Sequence, residues 1–385
     1  MISSLKQHLI DPELCIRCNA CWEVCPAQAI EFDGINYIVD PARCDDCKAC
    51  QPGCPTGAIE ATRFVPQDRP YSLAVQSSWS SLPPQVMFDA ALAESLEAGM
   101  KTGGASPPLM VHGLQNPITA TVLSNRRLTA AAAESDIHEI VLSFGDHVFG
   151  GIEGQSIGVL PEGAAGHRQA HHMRAYSLAN PRDGETPGDG CVSLVVKRVV
   201  DEWGGRPYRG VASNFLCDTR FGDVVRCVGP IGSTFLLPPS KPSRLLMICT
   251  GTGIAPMWGF IRRNLREGMV EGDGMMLIYG GRVPEEMAYH AELQSLQAGV
   301  VDMHFAYSRL SGSPKRYVQD VLREEAGRIG GLIEDPAAHI YVCGLRGMET
   351  GVSAALEEIC VRGGYDWETA RTKLQGEGRL HFETY

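Results

Sequence analysis

Eight cysteines between residues 15 and 54 fall into two runs of the form C-x-x-C-x-x-C-x-x-x-C-P. They are Cys15, Cys18, Cys21 and Cys25 before Pro26, then Cys44, Cys47, Cys50 and Cys54 before Pro55. A thiolate at every third position lets one loop wrap three corners of a cuboid, while the delayed fourth sulfur serves a second cuboid. The chemistry is one-electron transfer through two [4Fe–4S] clusters. With the fourth cysteines crossed, one cluster takes Cys15, Cys18, Cys21 and Cys54, and the other takes Cys44, Cys47, Cys50 and Cys25. Structural zinc also uses C-x-x-C, but it wants two pairs rather than two triplets with a delayed fourth. Crossing has a consequence for folding, since neither half of such a module is complete alone.

The elements that position these residues belong to a chain of 385 residues, 44% hydrophobic, with room for two or three domains. No apolar run of membrane-spanning length occurs, and the start, MISSLKQHLIDPELC, has no apolar signal core. Cluster thiolates are also best kept in a reducing compartment, so a cytoplasmic protein is expected. The net charge of −11 disfavours nucleic acid and anionic membranes as partners. Residues 1–60 hold four Lys/Arg against nine Asp/Glu, an acidic surface that would tune the docking rate of an electron-transfer partner.

The cluster module is expected at 1–62, followed by a Pro-, Ser- and Gly-rich linker at 63–115 containing one short helix at 88–100, FDAALAESLEAGM. Between 116 and 239 the β-like segments EIVLSF, QSIGVL, RAYSLA, CVSLVVKRVV and DVVRCVG predict a small antiparallel barrel or sandwich. From 240 to 385, apolar strands (SRLLMICT, MMLIYG, VDMHFAYS, HIYVCG) alternate with helical segments. The first of these helices carries Met257, Phe260, Ile261 and Leu265 at helical spacing. That alternation predicts an α/β Rossmann-like parallel sheet for nucleotide binding. The fold class is therefore multidomain: an α+β two-cluster module, an antiparallel β-barrel and an α/β domain.

Five further stretches have residue types suited to cofactors. Arg174-Ala-Tyr176-Ser177 offers a cation, an aromatic and a hydroxyl along one strand. In GVASNFLCD, Gly210 permits close backbone approach, while Ser213 and Asn214 are good caps for a helix whose N-terminus would receive an anion. GTGIAPM (Gly251, Thr252, Gly253, Pro256) links a strand to a helix, but Pro256 stands where the G-x-G-x-x-G fingerprint has its last glycine. In AYSRLSGSPKRYVQD, Ser308, Arg309, Lys315 and Tyr317 supply two cations and two hydroxyls for a dianionic phosphate, where an NAD site would place an acid. Last come YVCGLRGME, with Cys343 and Gly344, and LHFETY, with Glu383 and Tyr385. The remaining Cys191, Cys217, Cys227, Cys249 and Cys360 read as small buried hydrophobes, and His171 and His172 as solvent-exposed loop residues.

In that order, the five stretches resemble the plant-type ferredoxin–NADP reductases over some 270 residues. The resemblance implies FAD and NADPH as cofactors and gives each position a role. Arg174 would reach the flavin pyrophosphate, Tyr176 would pack on the isoalloxazine, and Ser177 would bond near N5. Gly210, Ser213 and Asn214 would cradle the flavin pyrophosphate, and the Gly251–Pro256 loop the NADP pyrophosphate and nicotinamide ribose. Ser308, Arg309, Lys315 and Tyr317 would hold the 2′-phosphate, with Lys315 standing where the family commonly has Arg. Such a point charge implies softer selectivity for NADPH than a guanidinium fork. Cys343 and Gly344 would close over the nicotinamide, Glu383 would bond near the flavin, and Tyr385 would stack on it. Ser177, Cys343, Glu383 and Tyr385 are thus the expected catalytic set.

A two-cluster module ahead of such a reductase also resembles the reductase component of the benzoyl-CoA oxygenase (epoxidase) system, over nearly the whole chain. That resemblance implies an electron route from NADPH through FAD and the clusters to a di-iron oxygenase that oxidises benzoyl-CoA. The alternatives are a general NADPH–ferredoxin oxidoreductase or diaphorase, and a non-enzymatic carrier with a decayed flavin site.

Overall fold

The computed structural model describes residues 4–12, 15, 20–34, 36–51, 54, 58–67, 69–79, 82–83, 107–109, 111–113, 116–161, 173–203, 206–238, 244–268, 274–296 and 299–384. Cys18, Tyr385, the helix expected at 88–100 and the His171–His172 pair lie outside those residues. The chain forms two compact units, Met1–Gly113 and Leu114–Tyr385.

The first unit contains β1 (Ser4–His8), α1 (Ala20–Val24), β2 (Ile30–Phe32), β3 (Tyr37–Val39), β4 (Thr62–Pro66) and α2 (Leu73–Ser77). β2 and β3 form one antiparallel ribbon, and β1 and β4 another, with Ser4 opposite Pro66. The expected linker therefore begins inside the folded module. Gln76 of α2 acts like an extra strand residue: its side chain accepts from Val39 N at 3.0 Å and donates to Val39 O at 2.7 Å. Pro/Ser-rich composition hid this, because one buried glutamine rather than an apolar stripe fastens the helix. The core is small, comprising Ile10, Ile30, Tyr37, Val39, Ala58 and Ile59 together with Cys15 and Cys21.

The second unit opens with β5 (Ile118–Arg127), β6 (Ile137–Ser143), β7 (Ser156–Leu160), β8 (Arg174–Ser177) and β9 (Val192–Lys197). The hairpin β10 (Val200–Trp203) and β11 (Arg206–Arg209), helix α3 (Val211–Asp218) and β12 (Val224–Ile231) follow. Six strands make one antiparallel sheet in the order β8-β7-β12-β5-β6-β9, and a Leu178↔Leu194 bridge joins its two edges. The sheet thus closes as the β-pattern predicts. β5 alternates Ile118, Ala120 and Val122 inward, and the expected strand 191–200 breaks at Arg198–Val199, where β10 leaves the barrel.

Beyond it lie β13 (Arg244–Thr250), α4 (Ile254–Glu267), β14 (Met275–Gly281), α5 (His290–Gln294), β15 (Asp302–Tyr307), α6 (Val318–Glu324), α7 (Ala326–Glu334), β16 (Ala338–Gly344), α8 (Arg346–Arg362), α9 (Trp367–Gly376) and β17 (Leu380–Thr384). All pairings in this sheet are parallel, in the order β15-β14-β13-β16-β17. Alternate residues of β13 feed two cores: Leu245, Met247 and Cys249 pack with α4, and Leu246 and Ile248 pack with α6 and α8. This is a doubly wound sheet. Met257, Phe260 and Ile261 are buried as their spacing predicts, whereas Leu265 is exposed because it falls in the last turn of α4. β15 differs from the buried strand expected: at the sheet edge, only Ala306 of it is buried.

The barrel and the parallel sheet are fastened by a buried charge cluster. Glu153 is 1% exposed, accepts from Arg182 Nη2 at 2.6 Å and is also paired with Arg263 of α4. Tyr289, stacked on Trp258, donates to Glu139 of β6 at 2.7 Å.

Candidate functional site

In the first unit, Cys25, Cys44, Cys47 and Cys50 line one cavity with His8, Pro26, Ala29, Ile30, Val39 and Ile59. That set is the crossed ligand group expected from the spacing. Two non-glycine residues of the loop, Asp46 (φ 59°) and Lys48 (φ 60°), sit in the left-handed region on either side of Cys47. Such turns let a short loop aim successive sulfurs at one point. Burial pushes the Cys50 thiol up to about 11, and the charges of Cys25, Cys44 and Cys47 add to it; burial likewise raises Cys44. Crowded thiolates without a cation are costly, and iron in the cavity would relieve that cost. Cys15 and Cys21 are buried and Cys54 packs against the same core, while Cys18 of that set lies outside the described residues. Among the described residues, no three of Cys, His, Asp and Glu form a single-ion site. His8, buried and paired through Nε2 with Asp46, escaped sequence reasoning because a strand of mixed polarity delivers it to the cavity.

In the second unit, three features meet at the carboxyl ends of the parallel strands. The order of strands reverses between β13 and β16, and such a switch point opens a crevice. Gly251 follows β13 with φ 57° and open space on its side-chain face. A Cβ on Gly253 would lie 2.2 Å from Cys343 O, and one on Gly344 (φ 148°) 2.4 Å from Thr250 Oγ1. The two strand ends therefore touch backbone to backbone, which only glycine allows. Pro256 is the third residue of α4, where a missing N–H costs no helical bond.

Glu383 pairs in register with Cys343 across β16 and β17. Burial raises its carboxyl to about 7, and its Oε2 is buried without a hydrogen-bond partner among the described residues. Burial first, then the nearby Glu383, holds the Cys343 thiol well above the ordinary range. A buried carboxyl that titrates near pH 7 and has an unused oxygen can take up or give up a proton there.

The basic turn follows β15. Ser308 N donates to Gly281 O at 3.0 Å, Arg309 N to Arg282 O at 2.9 Å, and Arg316 N back to Tyr307 O at 3.0 Å. The turn closes on itself, leaving Arg309, Lys315 and Tyr317 exposed. Tyr317 N donates to Asp320 Oδ2 at 2.9 Å, opening α6 beside them. Arg282, at the end of β14, is a further cation here that no local motif announced.

On the barrel, β8 presents Arg174 exposed, and Tyr176 and Ser177 half-buried. Gly210, extended, is the N-cap of α3 and no side chain caps it. Ser213 and Asn214 are thus not caps, as their types had predicted, but lie in the first turns of the helix. They turn back onto the β9–β10 junction: Ser213 Oγ accepts from Val199 N at 3.2 Å, and Asn214 Nδ2 donates to Val199 O at 2.8 Å. Arg209 Nη2 and Arg198 Nη1 donate to Asn214 Oδ1 at 2.8 and 3.3 Å, placing two more guanidinium groups by this helix. An uncapped helix start beside cations fits a pyrophosphate. Cys191, Cys217, Cys227, Cys249 and Cys360 are buried, as expected of small hydrophobes.

Against known proteins, residues 247–354 match the oxidoreductase NAD-binding domain family and residues 14–60 the 4Fe-4S dicluster domain family. The cyanelle ferredoxin–NADP reductase of Cyanophora paradoxa is 34% identical over 289 residues, covering 72% of this chain and 79% of that protein. The chain belongs to the ferredoxin–NADP reductase family. The ferredoxin–NADP reductase of Thermosynechococcus vestitus is also 34% identical, over 72% of this chain and 75% of that protein. The fold agrees with ferredoxin–NADP+ reductase from Plasmodium falciparum, with a TM-score of 0.58 at 19% identity over 72% of this chain and 99% of that one. This reductase is therefore an oxidoreductase that binds FAD and NADP, fused to a two-cluster ferredoxin domain. Among the described residues, no helix is long and apolar enough to cross a membrane.

Proposed function

We propose that the reductase takes electrons from NADPH and delivers them through FAD and both [4Fe–4S] clusters to a di-iron oxygenase that epoxidises benzoyl-CoA. The observation that carries the NADPH half is the junction of the Gly251–Gly253 loop, Cys343–Gly344 and Glu383 at the switch point of the parallel sheet. Bound flavin supplies the exchange between a two-electron donor and one-electron acceptors. The protein supplies placement. The touching strand ends exclude side chains where a nicotinamide ring would lie, and Gly251, Thr252 and Pro256 shape the pyrophosphate turn. Glu383, titrating near pH 7, can exchange a proton beside the neutral Cys343 thiol, and Ser177 offers a hydroxyl from the barrel. Arg174 and the start of α3, with Gly210, Ser213 and Asn214, hold the flavin phosphates, and Tyr176 its ring. Tyr385 belongs to the same proposal as the aromatic that covers the flavin until nicotinamide arrives. Ser308, Arg309, Lys315 and Tyr317, with Arg282, hold the 2′-phosphate.

Crossed ligation by Cys15, Cys18, Cys21 and Cys54, and by Cys44, Cys47, Cys50 and Cys25, is proposed for the clusters. A tethered acceptor works at a high effective concentration. The oxygenase partner is supported by the order of the two modules, and a cytoplasmic setting by the thiolate ligands. Anaerobic NADPH should bleach both flavin and cluster absorbance and produce reduced-cluster EPR signals; an unchanged spectrum overturns the route. Reconstitution with di-iron oxygenases should give NADPH- and O₂-dependent turnover of benzoyl-CoA. Equal rates with unrelated ferredoxins, and none with such oxygenases, would favour a general NADPH–ferredoxin oxidoreductase.

A further inference from the structure

The two arginines at the ends of β14 and β15 already share an anion. Glu134 Oε2 accepts from Arg282 Nη1 at 2.6 Å and faces Arg309 Nη1 at 3.4 Å. The acid comes from the barrel, in the β5–β6 loop, and its backbone is pinned against the nucleotide-binding sheet. Ala130 N donates to Glu285 O at 2.9 Å, and the buried Ser135 donates through Oγ to Glu286 Oε2 at 3.1 Å. Within the loop, Thr129 Oγ1 donates to Ser135 O at 2.7 Å, and Arg127 Nη2 to Ala133 O at 3.2 Å. Glu286 is a second acid 3.7 Å from Arg282. The loop therefore has an anchor on each side of Glu134, while its carboxylate stays 67% exposed and free to leave.

We propose that Glu134 is a resident competitor for the 2′-phosphate, which must displace its carboxylate from Arg282 and Arg309. This rests on the reading of the Ser308–Tyr317 turn as the 2′-phosphate pocket. A carboxylate and a phosphate cannot both use one guanidinium fork without repulsion, so Glu134 weakens binding of the phosphorylated dinucleotide alone. NADH brings no group to that position and leaves the ion pairs intact. Glu134 thus lowers the preference for NADPH over NADH from outside the motif that creates it.

The test uses the full-length holoprotein with Glu134→Gln and Arg309→Ala. Glu134→Gln should lower the KM for NADPH and the Kd of adenosine 2′-monophosphate by about two- to fivefold, the range of an exposed ion pair. The KM for NADH and the Kd of adenosine 5′-monophosphate should not move. Unchanged NADPH and 2′-monophosphate values, or equal tightening of the unphosphorylated ligands, overturn the proposal. Arg309→Ala separates the two readings. If it weakens the 2′-monophosphate while Glu134→Gln does nothing, only the competitor role fails. If Arg309→Ala leaves that ligand and the NADPH/NADH ratio unchanged, the pocket reading itself fails.

Discussion

The two units solve the same task, placing cofactor ligands, by opposite means. In the reductase unit, the site sits on the ends of strands whose both faces are packed, so Gly253, Cys343 and Glu383 are positioned by a core that exists without any cofactor. In the cluster unit, Cys44, Cys47, Cys50 and Cys54 lie outside helices and strands, and Cys15 and Cys21, the latter in α1, are themselves core residues. One site is preformed by packing. The other gathers thiols that burial keeps protonated, so that thiolate formation there is costly and iron would offset the cost.

The sharpest way to break this comparison is to remove iron. Anaerobic chelation should abolish the protease resistance of residues 1–113 altogether while NADPH–ferricyanide activity of the flavin survives. Equal loss in both units would show that they share one folding unit. Within the same experiment, Cys25→Ser should erase the EPR signal of the cluster held with Cys44, Cys47 and Cys50, despite its distance from them in sequence.

A preformed reductase site should instead depend on its buried polar joints. Glu153→Ala removes the buried acid shared by Arg182 and Arg263, leaving Arg263 only its pair with Glu267 at 2.9 Å, and should cost about 1–3 kcal/mol in denaturant unfolding of this unit. A change below measurement error would mean that the joint does not hold barrel to sheet.

The third effect is on acid stability. His381 stacks on Tyr341 at 4.5 Å, and burial lowers it from 6.5 to about 4. Its folded value is depressed, so its contribution is present above pH 6.5 and is lost as pH falls through 6.5 towards 4. The full loss is roughly 3 kcal/mol, which His381→Phe should largely remove from the pH profile of unfolding. An identical profile in the variant would assign the acid sensitivity elsewhere. The smallest change concerns selectivity: Lys315→Arg should raise the NADPH/NADH ratio of kcat/KM by about two- to fivefold through a bidentate contact.

The contrast between the units also governs what could be read from sequence. Cluster ligands are legible because their spacing is local, and the apolar runs of β13, β14 and β16 announce a sheet buried on both faces. Glu134, Arg282 and His8 are not legible, because each acts on residues brought near only by tertiary pairing. Ser213 and Asn214 show a subtler limit. Their types suit a cap, yet the helix starts at Gly210 and uses them to grip Val199. The strand Thr62–Pro66 and Gln76 were hidden by a composition that elsewhere marks a linker.

The Leu178↔Leu194 bridge has a consequence for association. It ties the end of β8 to β9 at one residue pair, so the two edge strands of the described sheet meet. At that seam an arriving chain finds little open edge to extend, which disfavours strand addition there as a mode of recognition. An electron acceptor that meets the barrel at this seam would be recognised through side chains, whose charges can attract it quickly and release it as quickly once the electron has passed.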